Sequence, residues 1–212
     1  YYGLDLPLER LIDEVRALEA GGTLAVYLGS DALERGFRAT IYTYNLQVFD
    51  PTWFGSGVDL AERLRLQAGI KQDRPRIETT TAAYLRFLEL GGRLRFEELN
   101  ARLVLRHLRA GRPILTGLSA TYLYDCARER EDDVEDDLRG DPVGHFVVLA
   151  GYDAARRNVL VADPLHDNPR FGSPYYAVRV QRLLGAILLG IVTYDANLLV
   201  LEPREPRTSR GT

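Results

Sequence analysis

Two short apolar runs in the last third of the chain constrain its fold more than any other feature. The first reads Gly144-His145-Phe146-Val147-Val148-Leu149-Ala150-Gly151-Tyr152, and the second Asn158-Val159-Leu160-Val161-Ala162-Asp163-Pro164. Runs of this length, rich in β-branched residues and joined by a short polar stretch, predict a buried β-hairpin. A His opens one arm and an Asp closes the other, so pairing the arms brings two polar side chains to the same end of an apolar ribbon.

The register decides whether they meet. Side chains alternate strictly along a strand, so a slip of one residue moves Asp163 to the other face. A loop of odd length centred near Ala155 puts His145, Val147, Leu149 and Gly151 on one face with Val159, Val161 and Asp163. Asp163 is then diagonal to His145 and within reach of its ring. An even loop separates them. The odd register is expected, because it leaves that face uniformly apolar apart from the His–Asp pair. An imidazole oriented by a carboxylate on rigid strands is the general-base half of a hydrolytic triad.

The rest of the chain is compatible with one soluble domain. Its 212 residues can bury a full core, and 46% hydrophobic with 27% charged residues is ordinary for a globular protein. A net charge of −3 argues against nucleic-acid binding. The longest apolar span, Leu183 to Tyr194, is too short to cross a bilayer and carries two glycines. A single cysteine, Cys126, excludes an internal disulfide and fits a reducing, cytoplasmic location. The sequence has no Met and starts Tyr1-Tyr2-Gly3, so residues are expected to have preceded it. Lys71 is the only lysine, and the preference for Arg points to a GC-rich bacterial genome.

Periodicity predicts helices in the first half. One begins at an Asp5 cap with Pro7 in its first turn and runs to about Ala20, before Gly21-Gly22. Others are expected over Thr23–Arg35, Val58–Gly69, Glu78–Leu90 and Glu97–Ala110. Strands are expected at Phe37–Tyr44, Arg93–Phe96, within Pro113–Tyr124, in the hairpin, at Tyr175–Val180 and at Asn197–Leu201, with a short helix at Gln181–Leu188. Helices first and antiparallel strands later make an α+β fold. Residues 1–202 are read as one domain and 203–212 as a flexible tail.

These residues resemble the bacteriocin-processing, papain-like cysteine peptidases that cut after double-glycine leaders, and their stand-alone relatives. The resemblance rests on Gly-His-Phe-Val-Val-Leu at 144–149, Gly-Tyr-Asp at 151–153 and Val-Ala-Asp-Pro at 161–164. Asp31 to Ile41 fits the family's middle region, and Arg112-Pro113-Ile114 fits the strand ahead of the His. It implies a papain-like fold and cofactor-free hydrolysis of a peptide or amide bond, with His145 as base and Asp163 as its orienting carboxylate. Acyl transfer to another amine shares every step but the last. In that family the nucleophilic Cys opens a helix ending in a Tyr-Gly step, with an oxyanion-hole Gln slightly earlier. This chain begins at such a step, so the resemblance implies that both lie upstream of Tyr1 and that the chain alone is inactive. The alternative is a catalytically silent relative that binds a leader-like peptide.

Other residues have plainer readings. His145 itself could be a hydrogen-bonded histidine at a strand end, but Asp163 on the matching strand favours catalysis. Cys126 stands before a densely charged run with no His near it in sequence, and reads as packing or surface rather than nucleophile. His145, Asp163, His166 and Asp167 offer metal-ligating types, yet their spacing matches no common zinc signature, so no metal is expected. His107 reads as structural. The acidic run Glu129 to Asp137 reads as a solvated loop that could also attract a basic substrate. Trp53, Tyr44 and Asn45 could line a groove or anchor a loop.

Overall fold

A computed structural model describes residues 23–193 and 196–204, together with residues 2, 3, 7, 10 and 14. Most of the helix expected between Asp5 and Ala20 lies outside the described residues, as do residues 205–212 of the tail expected over 203–212.

The chain has the α+β class expected of it. Its elements are α1 (Ala25–Glu34), β1 (Phe37–Thr43), α2 (Leu60–Ile70), α3 (Pro75–Glu89), β2 (Arg93–Arg95), α4 (Ala101–Arg109), β3 (Ile114–Ser119), α5 (Ala120–Tyr124), β4 (Gly144–Asp153), β5 (Asn158–Ala162), β6 (Tyr175–Arg179), α6 (Val180–Leu189) and β7 (Asn197–Pro203). A 3-10 turn, Pro51–Phe54, lies between β1 and α2. Among the described residues, no helix is long and apolar enough to cross a membrane.

The strands form one seven-stranded sheet in the order β2-β1-β7-β3-β4-β5-β6. Only β1 and β2 run parallel; the other pairs are antiparallel. The first half therefore supplies two strands of the same sheet. β7 is inserted between β1 and β3, where Asn197 to Val200 are all buried.

Alternation along the strands splits the core into two layers. Tyr42, Leu198, Ile114, Leu118, Val147, Leu149 and Val161 pack with Leu103 and Val104 of α4 and Leu183 and Ile187 of α6. The neighbouring residues Ile41 and Leu199 face the other way, against Val26 and Leu33 of α1 and Tyr84 and Phe87 of α3. Burying these aliphatic and aromatic side chains is the main favourable term in folding, at about 1.5–3 kcal/mol for each fully buried large residue.

Helix boundaries follow capping chemistry. The helix expected from Glu97 starts only at Ala101, because the Asn100 side chain accepts the Leu103 N–H and fixes the N-terminus there. Asp59 likewise accepts from Ala61 and Glu62 at the start of α2. α1 is followed, one residue past its C-cap Arg35, by Gly36, whose φ of +87° is a left-handed conformation that glycine adopts freely. α5 occupies the end of the Pro113–Tyr124 segment in which a strand is expected. The Ser119 hydroxyl accepts the Tyr122 N–H and turns the chain into a helix there.

Candidate active site

The hairpin is present, and its register combines both geometries considered for it. Leu149 pairs with Val161 and Val148 with Ala162, which is the odd register centred on residue 155. Nearer the turn, Asp153 pairs with Asn158, so the loop itself holds four residues, an even number. A β-bulge between Leu149 and Gly151 reconciles the two. The extra residue, Ala150, shifts the pairing by one, and the arms beyond it face as an odd loop would place them.

The bulge corrects one expectation. Gly151 pairs with the half-exposed Leu160 on the outer face, and Tyr152 takes its expected place opposite buried Val159. His145, Val147, Leu149, Val161 and Asp163 keep the shared face. The turn is tied by the Asp153 carboxylate, which accepts the Ala155 and Arg156 N–H groups.

His145 and Asp163 meet. The His145 Nε2 stands 2.8 Å from Asp163 Oδ1. The Asp163 side chain is fully buried, whereas the imidazole is 21% exposed. Among the described residues, Nδ1 of the ring has no hydrogen-bond partner.

Asp163 is held by more than the histidine. The Tyr124 hydroxyl donates to Oδ2 at 2.7 Å, the Tyr176 hydroxyl to the same oxygen at 2.5 Å, and the Leu165 N–H to Oδ1 at 2.9 Å. Burial pushes this carboxyl up, but the bonds from Tyr176, His145, Tyr124 and Leu165 outweigh burial and hold it below the usual carboxylate range. An ionised Asp163 makes the imidazole the donor at Nε2 and leaves Nδ1 as a free acceptor. Both phenols are pushed up, first by burial and then by Asp163, so they stay protonated and donate.

Sequence reasoning missed these two tyrosines and the residues that place them. Tyr124 ends α5, followed by Asp125 at φ +60° with Arg170 and Arg182 on its carboxylate. Tyr176 stacks on Phe171 at 3.9 Å with the rings nearly parallel. Phe171 sits in a loop organised by buried Asn168, which accepts the Phe171 N–H and donates to the Leu165 and Ser173 carbonyls. The only sequence signal was that Tyr176 lies two residues after Pro174, at the start of a predicted strand.

Other candidates stand apart from the pair. Cys126 lines a groove of about 380 Å³ with Ser119, Tyr122, Pro142 and Leu189. Its sulfur lies 4.0 Å from the Thr121 carbonyl, and no hydrogen bond joins it to His145. Burial, then Glu135 and Glu129, push its thiol up, so it stays protonated at neutral pH. His166 and Asp167 are exposed, and no group of three or more metal-ligating side chains comes together among the described residues. His107 is buried, with Nε2 3.1 Å from the Tyr42 hydroxyl and Nδ1 without a partner.

The acidic run is an ordered loop. Glu129 bridges to Glu135 and Asp141, and Gly140 lies so close to the Asp136 carbonyl and Arg128 that a Cβ would meet them at 2.6 and 2.7 Å. Trp53 packs on the α1–α3 core, and Tyr44 is buried with its hydroxyl unpartnered, so both serve as anchors. Asn45 is buried and accepts the Gln47 N–H.

The profile of the Peptidase_C39 like family matches residues 71–177, half of the chain, and takes in α3 through most of β6 with His145, Asp163, Tyr124 and Tyr176. The chain belongs to this family. No curated protein matches it. Among solved structures, it is similar to a protein described as a C39-like peptidase from Bacillus anthracis, at 24% identity over 48% of this chain and 46% of that one. The chain thus spans about half the length of that protein. Their TM-score of 0.29 is too low to relate the two folds.

Proposed function

We propose that this C39-type domain carries the His–Asp half of a cysteine-peptidase triad, with His145 as general base and Asp163 as its orienting carboxylate. The observation behind this reading is the 2.8 Å His145–Asp163 contact, with Nδ1 free, in a chain of this family. A sulfur placed near Nδ1 would pass its proton to that nitrogen and attack a peptide carbonyl as thiolate. His145 would then return the proton to the leaving amine, and water would release the acyl group. Asp163 would keep the imidazole in the required tautomer without taking the proton itself.

Cys126 is not bonded to His145, so the attacking sulfur in this reading comes from outside these 212 residues. The bacteriocin-processing resemblance supplies the substrate class, a peptide cut after a double-glycine leader. The chain alone is then close to inactive, since loss of a triad nucleophile costs on the order of a millionfold in turnover in the serine-protease precedent. The same placement of Cys126 favours a second reading for the isolated chain, peptide binding without cleavage.

The test joins the chain to a segment carrying Cys and the oxyanion Gln, as in the resembling peptidases, and measures cleavage of double-glycine leader peptides. Iodoacetamide-sensitive cleavage that disappears in His145→Ala is the expected result. Cleavage indifferent to iodoacetamide, or none in the joined protein, rejects the enzymatic reading.

A further inference from the structure

A carboxylate offers about four lone-pair directions. In Asp163 all four are taken, by the Tyr124 and Tyr176 hydroxyls on Oδ2 and by the Leu165 N–H and His145 Nε2 on Oδ1. Three of these donors leave the carboxylate one free direction, and it points at the imidazole. Torsion about the bond to a carboxylate is broad and soft, so an Asp side chain without such partners samples many orientations.

The two phenols come from separate elements. Tyr124 ends α5 and is buried; Tyr176 lies on β6 and is clamped by its stack on Phe171. Each approaches Oδ2 from a rigid support, and neither bonds to the His145 ring. The Tyr124 and His145 ring centres are 6.1 Å apart, and no hydrogen bond joins the two side chains.

We propose that Tyr124 and Tyr176 are positioning residues that lock the Asp163 carboxylate so that its remaining lone pair fixes His145 with the proton on Nε2. They act through Asp163 and do not touch the reacting atoms. This deepens the His–Asp reading and rests on it for its catalytic meaning, but its physical content belongs to the chain as it stands.

The test is therefore spectroscopic and needs neither nucleophile nor substrate. In the ¹⁵N-labelled chain at neutral to mildly alkaline pH, the His145 Nε2–H should give one downfield proton resonance, slow to exchange and assigned by its loss in His145→Gln. In Tyr124→Phe/Tyr176→Phe this resonance is expected to be lost through exchange with water. The single variant Tyr176→Phe, which keeps the stack on Phe171, should show faster exchange if the double variant does not fold. A double variant, or Tyr176→Phe in its place, that melts lower while keeping the resonance and its protection would overturn the proposal, because the phenols would then be structural only. Absence of cleavage in the joined protein would reject the enzymatic reading and leave this result standing. Cleavage with an unchanged resonance in the double variant would do the reverse.

Discussion

Replacing Asp163 with Ala removes the acceptor of four hydrogen bonds at once, from Tyr176 at 2.5 Å, Tyr124 at 2.7 Å, His145 at 2.8 Å and Leu165 at 2.9 Å. Each bond to an ionised acceptor contributes a net of about 1.5–3 kcal/mol. The four do not add, because they share one carboxylate. Water can reach His145 and Tyr176, which are partly exposed, and the variant no longer buries a charge. The Tyr124 hydroxyl is different. That residue is 4% exposed, and an orphaned buried donor costs about 1–3 kcal/mol.

The net loss at neutral pH is then about 3 kcal/mol, a substantial part of the roughly 5–15 kcal/mol that stabilises a native protein. For a chain of this size that corresponds to a melting temperature lower by about 6–12 °C. Urea unfolding followed by circular dichroism measures it. The sign with pH is fixed by the hydrogen bonds, which hold the Asp163 carboxyl below its ordinary value. Its stabilisation is complete above the unfolded value of about 3.9 and is lost as pH falls through the folded value. The gap between wild type and variant should narrow on acidification below about pH 4. A gap under about 1 kcal/mol at pH 7, or one that persists to about pH 2, would refute the account of a saturated, ionised carboxylate.

His107 should make the fold acid-sensitive at a milder pH. Burial, then Arg106 and Arg112, lower its pKa against the opposing pull of Glu202 and Glu97, and Tyr42 is its hydrogen-bond partner. The stability tied to its neutral form is complete above the unfolded value of about 6.5 and declines as pH falls towards the folded one, so unfolding midpoints should be lower at about pH 5.5 than at about pH 8. His107→Gln should flatten that difference, and an unchanged slope would show that other groups cause it. Gly92→Ala should destabilise by about 1–3 kcal/mol in thermal melts, because a Cβ there would lie 2.4 Å from the ring of fully buried Phe87. Cys126→Ser should leave leader-peptide cleavage by the joined protein unchanged, and a large loss would mean that this thiol takes part.

Alternation in the two apolar runs is written in the chain itself, and with it the hairpin and the polar residue at each open end. The sequence also carried enough of the family's pattern over 71–177 to place the chain. These signals are local, since side-chain direction along a strand depends only on position parity. Tertiary structure decided the rest. The bulge at Ala150 turned an even loop into the register that unites His145 with Asp163, and nothing in the composition of either run distinguishes a bulged residue from a paired one. The pairing of β1 with β7 in mid-sheet joins strands from opposite ends of the sequence. The carboxylate's other partners, Tyr124 and Tyr176, lie 39 and 13 residues from Asp163, on elements whose own periodicity carries no record of where their hydroxyls arrive. Only folding brings those hydroxyls to one oxygen, because a hydrogen bond depends on distance and direction in space rather than on spacing along the chain.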